Sequence, residues 1–378
     1  MISTLLLALA PAVAQDPIGA LLDEFVAAGR APGISVAIAS ADGSLTAWTR
    51  GHEDREGERP LHPHHQLMSG SVGKTYFAAL AMQLIDEGRI AADDKLAKFL
   101  GERDWYARLP NAETITLASL MRHTSGMVDP IAMPQTWQKL EAAPTAPWAE
   151  ADWVELLLDQ DPLFPVGESW AYTDANYLLL GLALEEVLEE SVYRAVWERF
   201  LQPLQLHETR ANTSPDLPGL AQGWRTWGLQ PGAEAKPAIV NGRFYINPQM
   251  EWCGGGYRST TSDLARWGAA LFGGRAISAQ ARQRMLEAAV DAQLFPGDRY
   301  GYGVIVSQTP QGPAHGHSGF FPGYLTEMMW FPKLGVCIAV QFNTDQMARA
   351  GHPRQIVMQV AAILAEDQAD DAAQEGGD

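Results

Sequence analysis

Residues 69–77 read Ser-Gly-Ser-Val-Gly-Lys-Thr-Tyr-Phe, and two chemistries fit that stretch. Gly70-Ser71-Val72-Gly73-Lys74-Thr75 looks like the end of a phosphate-binding loop, where a lysine and a threonine hold a nucleotide and its magnesium. Ser71-Val72-Gly73-Lys74 is also Ser-x-x-Lys, a serine nucleophile served by a lysine base. The phosphate loop requires a glycine where Met68 stands, and a buried strand where the poor strand-former Pro-His-His-Gln-Leu-Met stands. Half of that motif's glycines are therefore missing.

Ser-x-x-Lys has the better physics. With Ser71 at the start of a helix, Ser71 and Lys74 share one face, their β-carbons about 5–6 Å apart. A serine hydroxyl is a weak nucleophile and needs an adjacent base. Lysine serves once burial and nearby positive groups lower its pKa. The N–H groups of the first helical turn face the negative charge that develops in the reaction. Alone, the motif is weak, and the plain alternative is a capping serine beside a solvated lysine.

The surrounding chain must position this pair. Residues 18–29 carry apolar positions at helical spacing and stop at Gly29. Gly33 to Gly51 alternates on both sides of an Ala-Asp-Gly turn, as a hairpin does. From Ser71 the period changes, and Phe77, Leu80, Ala81, Leu84 and Ile85 mark a helix that Gly88 closes. Residues 116–126, 151–160 and 176–201 read as further helices, and the prolines at 130, 134, 144 and 147 as a long loop. Strands return at 300–309, 323–331 and 336–343, and residues 354–366 form a closing helix. Strands, then helices, then strands predict an α+β fold: an antiparallel sheet built from both ends of the chain, with an all-helical domain inserted. The boundaries expected are 15–69 plus 240–366 for the sheet domain and 70–239 for the helical one.

Four further stretches recur with Ser71-Val72-Gly73-Lys74. They are Arg122 to Met127, Tyr172-Thr173-Asp174, the glycine-rich run from Cys253 to Trp267, and His317-Ser318-Gly319. In this order the chain resembles the serine β-lactamase and penicillin-binding superfamily. The branch is that of class C β-lactamases, D-alanyl-D-alanine carboxypeptidases, D-aminopeptidases and related esterases. Tyr172-Thr173-Asp174 stands where the family has Tyr-x-Asn, and His317-Ser318-Gly319 where it has Lys-Thr-Gly or His-Thr-Gly.

That resemblance implies a β-lactamase-like, transpeptidase-like fold and a set of roles. Ser71 forms an acyl-enzyme, while Lys74 and Tyr172 share the proton transfers. His317 and Ser318 orient substrate from a strand edge facing Ser71 and add positive or donor character. The backbone N–H groups of Ser71 and Phe320 form the oxyanion hole, and Gly319 completes the motif. No metal or organic cofactor is implied. Asp174 departs from the family. A carboxylate accepts but does not donate, and its charge should hold Lys74 protonated. The mechanism then leans on Tyr172, or Asn176 supplies the missing amide.

Between the tyrosines at 300–302 and His317 there is no lysine or arginine to hold a substrate carboxylate, and Arg258 is the nearest alternative in sequence. This weakens a carboxypeptidase and leaves D-aminopeptidase or esterase activity open, with a non-catalytic penicillin-binding-like protein recognising cell-wall peptides as the alternative. His62, His64 and His65 lack a fourth metal ligand nearby and read as a loop. His123 reads as structural. Gly316-His317-Ser318-Gly319-Phe320 nearly matches a nucleophile elbow, but a strand follows it rather than a helix.

Composition frames this reading. The 378 residues are 47% hydrophobic and 19% charged, enough for a large core in one or two domains. The formal charge is −18 with no basic stripe, so nucleic acid is no partner. The partner expected is a small-molecule or peptide substrate. Residues 1–14 are uncharged, mostly apolar, too short to span a bilayer, and end Ala12-Val13-Ala14. They read as a signal peptide, which places the mature protein in the periplasm or outside the cell, with no transmembrane segment. Residues 367–378 read as an acidic disordered tail. Cys253 and Cys337 make no disulfide framework, and their pairing stays open.

Overall fold

The structure is a computed structural model that describes residues 16–54 and 56–375. The leader expected at residues 1–14 lies outside the described residues. Helix α1 (Pro17–Ala27) opens with Pro17 in its first turn and Asp16 accepting from the Gly19 N–H. Strands β1 (Gly33–Ser40) and β2 (Leu45–Gly51) follow as a hairpin. A short strand β3 (Leu67–Met68) leads into a tight 3₁₀ turn over Gly70–Gly73 and then α2 (Lys74–Asp86). Helices α3 (Leu117–Met121) and α4 (Ala175–Leu188) belong to the helical segment. Strands β4 (Arg210–Ala211) and β5 (Tyr257–Ser259) complete a small sheet with β3, and α5 (Thr261–Gly273) follows.

The last third supplies β6 (Val290–Asp291), β7 (Arg299–Tyr300), β8 (Ile305–Thr309), β9 (Gly312–Phe321), β10 (Tyr324–Phe331) and β11 (Val336–Phe342). Helix α6 (Arg354–Glu375) closes the chain. The eight strands run β6-β7-β8-β9-β10-β11-β1-β2, antiparallel throughout, so β1 pairs with β11 and joins the two ends of the chain. This is the α+β architecture expected from the order of elements, an antiparallel sheet built from both ends of the chain.

Alternation explains the layers. On β1, Ile34, Val36 and Ile38 face a core shared with α1 and α6, while Ala37 and Ala39 face α5 and the helical side. Small residues on the second face let α5 lie close to the sheet. Helix α2 is buried all round, from Lys74 through Met82, which marks it as the central helix of the molecule.

Three segments differ from expectation. The prolines at 130–147 do not make one long loop, because Pro134 occupies the first turn of a helix over Pro134–Ala142, where a missing N–H costs nothing. Residues 176–201 are not one helix. Glu189 turns left-handed (φ 58°) and Ser191 caps a new helix at Val192. Residues 367–375, expected as disordered tail, continue α6 as far as Glu375. Alanine and glutamine favour propagation of a helix already anchored by Ile356, Val357 and Val360 in the core.

Candidate active site

Ser71 lies within the 3₁₀ turn just before α2, so it sits at the open end of the central helix while Lys74 begins the buried part. Lys74 Nζ donates to Ser71 Oγ at 3.1 Å, to Asp174 Oδ1 at 2.5 Å and to the Gly254 carbonyl. All three ammonium hydrogens thus have acceptors, and the side chain has no exposure. Burial alone would lower the lysine pKa. The Asp174 carboxylate, with Tyr172 behind it, outweighs burial and holds it above the ordinary value.

Tyr172 lies against this pair. Lys74 Nζ is 4.8 Å from its ring centroid, and its buried hydroxyl lies beside Lys74 and Ser71. Burial pushes the phenol up to about 12, although the Lys74 charge opposes it. Behind Tyr172, His123 packs at 4.3 Å and Tyr300 at 6.0 Å between ring centroids. His123 Nδ1 meets the Asn176 side-chain amide at 2.9 Å and the Thr173 N–H at 3.4 Å, so it accepts. Burial, then the charge of Lys74, keeps this imidazole neutral, pushing its pKa well down.

The third stretch lies on β9. Strand β8 ends opposite Gly316, so His317 to Phe321 present a free edge on that side. The Phe321–Tyr324 pair closes the two-residue turn to β10, so it is the hydrogen-bonded pair, and the Phe320 backbone points the other way. That way is Gly70. A β-carbon on Gly70 (φ 52°) would lie 2.6 Å from Phe320 N, and one on Gly319 would lie 2.0 Å from the Ser69 carbonyl oxygen. Only hydrogen at both positions lets the Ser71 turn dock edge-on against β9.

His317 does not carry the positive character expected of it. It is buried, its Nδ1 donates to the Ser318 carbonyl at 2.6 Å, and its Nε2 accepts from the Tyr300 hydroxyl at 2.7 Å. Burial, with the Lys74 charge adding to it, drives its pKa down to about 3. Ser318 donates its hydroxyl to Glu327 at 2.6 Å.

A cavity opens beside Ser71, walled by Trp137, Trp227, Ile246, Met250 and Phe320, with Asp129, Asp174 and Glu251 as its charged lining. Burial and then the Asp174 charge push Asp129 up to about 6 and Glu251 up to about 8. A second cavity on the other side of Ser71 and Tyr172 runs along His317 and Ser318. Among the described residues, no lysine or arginine lines either one.

The structure therefore brings Ser71, Lys74, Tyr172, Asp174, His317, Ser318, Gly319 and Phe320 around one cleft. Asn176 is not among them, because its amide is spent on Ser125 and His123 beneath α4. Arg258 is also elsewhere, buried against Gln66 and the Ala211 carbonyl. Both cysteines are free and buried. Sequence reasoning missed Asp129, Glu251, Tyr300 and the Gly254 carbonyl. Glu251 and Gly254 sit at the glycine-rich run, whose lack of side chains signals close approach. Asp129 and Tyr300 carry no local signal.

Comparison with known proteins agrees with this geometry. The Beta-lactamase family profile matches residues 18–362. Penicillin-binding protein 4 of Amycolatopsis lactamdurans is 26% identical over 325 residues, which covers 82% of this chain and 81% of that protein. The Beta-lactamase of Escherichia coli (strain K12) is 23% identical over 310 residues, covering 80% of this chain and 74% of that protein. Among solved structures, the D-amino acid amidase from Ochrobactrum anthropi SV3 complexed with L-phenylalanine amide shares the fold. Its TM-score is 0.78 at 20% identity, over 93% of this chain and 98% of that one. The chain belongs to the Beta-lactamase family, as a serine hydrolase of the fold that penicillin-binding proteins and β-lactamases share.

Proposed function

We propose that the protein is an amidohydrolase that works through an acyl-enzyme on Ser71 and takes apolar acyl groups bearing a free amine. The observation that carries this is the Ser71–Lys74 contact of 3.1 Å at a cavity whose aromatic walls hold three carboxyl groups and no lining base. Aromatic surface favours an apolar side chain, and Asp129, which ionises near 6, favours an ammonium. A carboxylate-bearing acyl group would be repelled. The fold neighbour that is a D-amino acid amidase makes amides of aromatic D-amino acids the first substrates to test.

In this reading Ser71 Oγ bonds to the carbonyl carbon as its proton passes to Lys74 in the minor population where that lysine is neutral. The backbone N–H groups of Ser71 and Phe320 receive the developing oxyanion. Lys74, with Tyr172 beside it, returns the proton to the leaving nitrogen, and that bond breaks. Water then attacks the ester and releases the acid, restoring the Ser71 hydroxyl.

The test is hydrolysis of D- and L-phenylalaninamide and their N-acetyl forms, beside labelling by a fluorophosphonate. Turnover of the free amine above the acetylated form supports the reading. Turnover of the acetylated form alone overturns the amine preference.

One observation favours a second reading. With all three Lys74 hydrogens committed, Ser71 has no free base in the resting protein. A non-catalytic penicillin-binding-like protein would look the same. Folded protein that takes neither a fluorophosphonate nor a fluorescent penicillin on Ser71 would establish it. We propose export as well, on Ala12-Val13-Ala14. A mature N-terminus at Gln15 in the native host supports it, and an intact Met1 overturns it.

A further inference from the structure

Behind the edge of β9 lies a buried ionic cluster that the proposed chemistry does not use. Glu327, on the central strand β10, has no exposure. Its Oε2 accepts from the Ser318 hydroxyl at 2.6 Å and its Oε1 from Arg354 Nε at 3.2 Å, with His352 Nδ1 3.7 Å from Oε2. Arg354 also donates to Asp298 at 2.8 Å, and Asp298 accepts from Ser307 at 2.7 Å. Burial, despite Glu327 beside it, lowers the His352 pKa. One guanidinium thus lies between two carboxylates, and the cluster carries surplus negative charge.

Ser318 connects this cluster to the second cavity, whose other walls include Leu294, Phe295, Ile305, Leu325 and Met347. A hydroxyl has one proton and two lone pairs. The Ser318 proton is committed to Glu327, so the oxygen offers the cavity only lone pairs. His317 beside it has committed its proton to the Ser318 carbonyl and its free nitrogen to Tyr300. The cations around this cavity also have partners, Lys74 among them on Ser71, Asp174 and the Gly254 carbonyl. Arg354 serves Glu327 and Asp298, and Arg30, in the cavity next along, donates to the Ala350 carbonyl and Gln355.

We propose that this second cavity receives the leaving group, since the first is the one read above as taking the acyl group, and that Glu327 sets its polarity. By holding the Ser318 proton inward, it makes this side a hydrogen-bond acceptor with negative charge behind it. The site selects neutral leaving groups that bring their own N–H donors, and rejects those carrying a carboxylate. Glu327 acts through Ser318 and is a positioning residue. The inference rests on the Ser71 hydrolase reading and adds the leaving-group class to it.

The test uses one apolar acyl group esterified to 3-hydroxybenzamide, to 3-hydroxybenzoate and to phenol. The wild-type protein should show kcat/KM for the carboxamide ester on the order of tenfold or more above that for the carboxylate ester. In Glu327→Gln, a side-chain amide donates to Ser318, frees its proton and removes the charge. The ratio should then fall to about threefold or less. Equal use of both esters by the wild type, or an unchanged ratio in folded Glu327→Gln, overturns the inference. If Glu327→Gln does not fold, Ser318→Ala replaces it. The carboxamide should then lose its advantage over the phenyl ester while the carboxylate ester stays poor, and a retained advantage overturns the inference. Absence of turnover of every ester, with no fluorophosphonate label, overturns the hydrolase reading and this inference with it.

Discussion

Lys74 Nζ stands 2.5 Å from Asp174 Oδ1, across 100 residues of chain. The carboxylate holds the ammonium's pKa above the ordinary lysine value despite burial. If Lys74 is the base, activity follows the neutral fraction, and kcat/KM should keep rising into the alkaline range. Asp174→Asn removes the charge and lowers the lysine pKa, so the rising limb should move to lower pH. A profile that does not move would show that Lys74 is not the group whose deprotonation limits the rate.

Ser71→Ala should abolish turnover and covalent labelling while the protein stays folded. The Ser71 hydroxyl accepts from Lys74 and caps no helix, so the cost in stability should be about 1 kcal/mol. Activity assays and a urea titration on the same preparation separate the two effects. Residual turnover above background would move the nucleophile elsewhere.

Glu251 is buried, and its carboxyl is pushed from the usual 4.5 up to about 8, by burial first and the Asp174 charge second. Between those values the folded protein holds a proton that the unfolded chain has released. Stability therefore falls as pH rises through that window. Glu251→Gln keeps an acceptor for the Gly256 N–H and removes the titration. Its Tm should decline less than that of the wild type between pH 5 and pH 8. Parallel declines would show that Glu251 does not titrate there.

The same groups predict how an amine-bearing substrate binds. Asp129 ionises near 6 and Glu251 near 8, so the cavity gains negative charge as pH rises. KM for phenylalaninamide should fall as pH rises through about 6, where Asp129 ionises and the substrate's α-amine, at about 7.7–8, is still charged. KM for a neutral phenyl ester should not follow it. A matching fall for the ester would place the titrating group outside the amine's site.

Gly319→Ala tests the docking of β9 on the Ser71 turn. The added methyl would lie 2.0 Å from the Ser69 carbonyl oxygen, a backbone atom that cannot step aside. Moving the strand away separates Phe320 N–H from Ser71, so activity should drop by on the order of a hundredfold. Stability should fall by about 1–3 kcal/mol. Full activity in the variant would show that the oxyanion is not held between these two segments.

How much of this was legible beforehand depended on the range of the interaction. The helix from Lys74, the β1–β2 hairpin and the β10–β11 hairpin are readable because their periods repeat within a few residues. The catalytic-type residues were readable because Ser71 and Lys74 lie three apart on one turn, and because Tyr172 and His317-Ser318-Gly319 follow in a known order. The helix at Pro134 and the break at Glu189 were not, since proline and glutamate each permit more than one backbone state there and packing selects between them.

Which residues could react, and that both ends of the chain would build the sheet, are written in local residue types and spacing. Their protonation and partners are set by the packed interior. Lys74 and Asp174 lie 100 residues apart, and Ser318 is nine residues from Glu327, which in turn meets Arg354 on another element. A charge in the strand Tyr-Leu-Thr-Glu-Met-Met-Trp-Phe is visible in the sequence, but its role is not. Whether His317 is charged, whether Ser318 donates, and whether Lys74 is free depend on burial and on neighbours brought within about 3 Å. Those are properties of the folded interior, where desolvation and single charges act at full strength, and no local spacing encodes them.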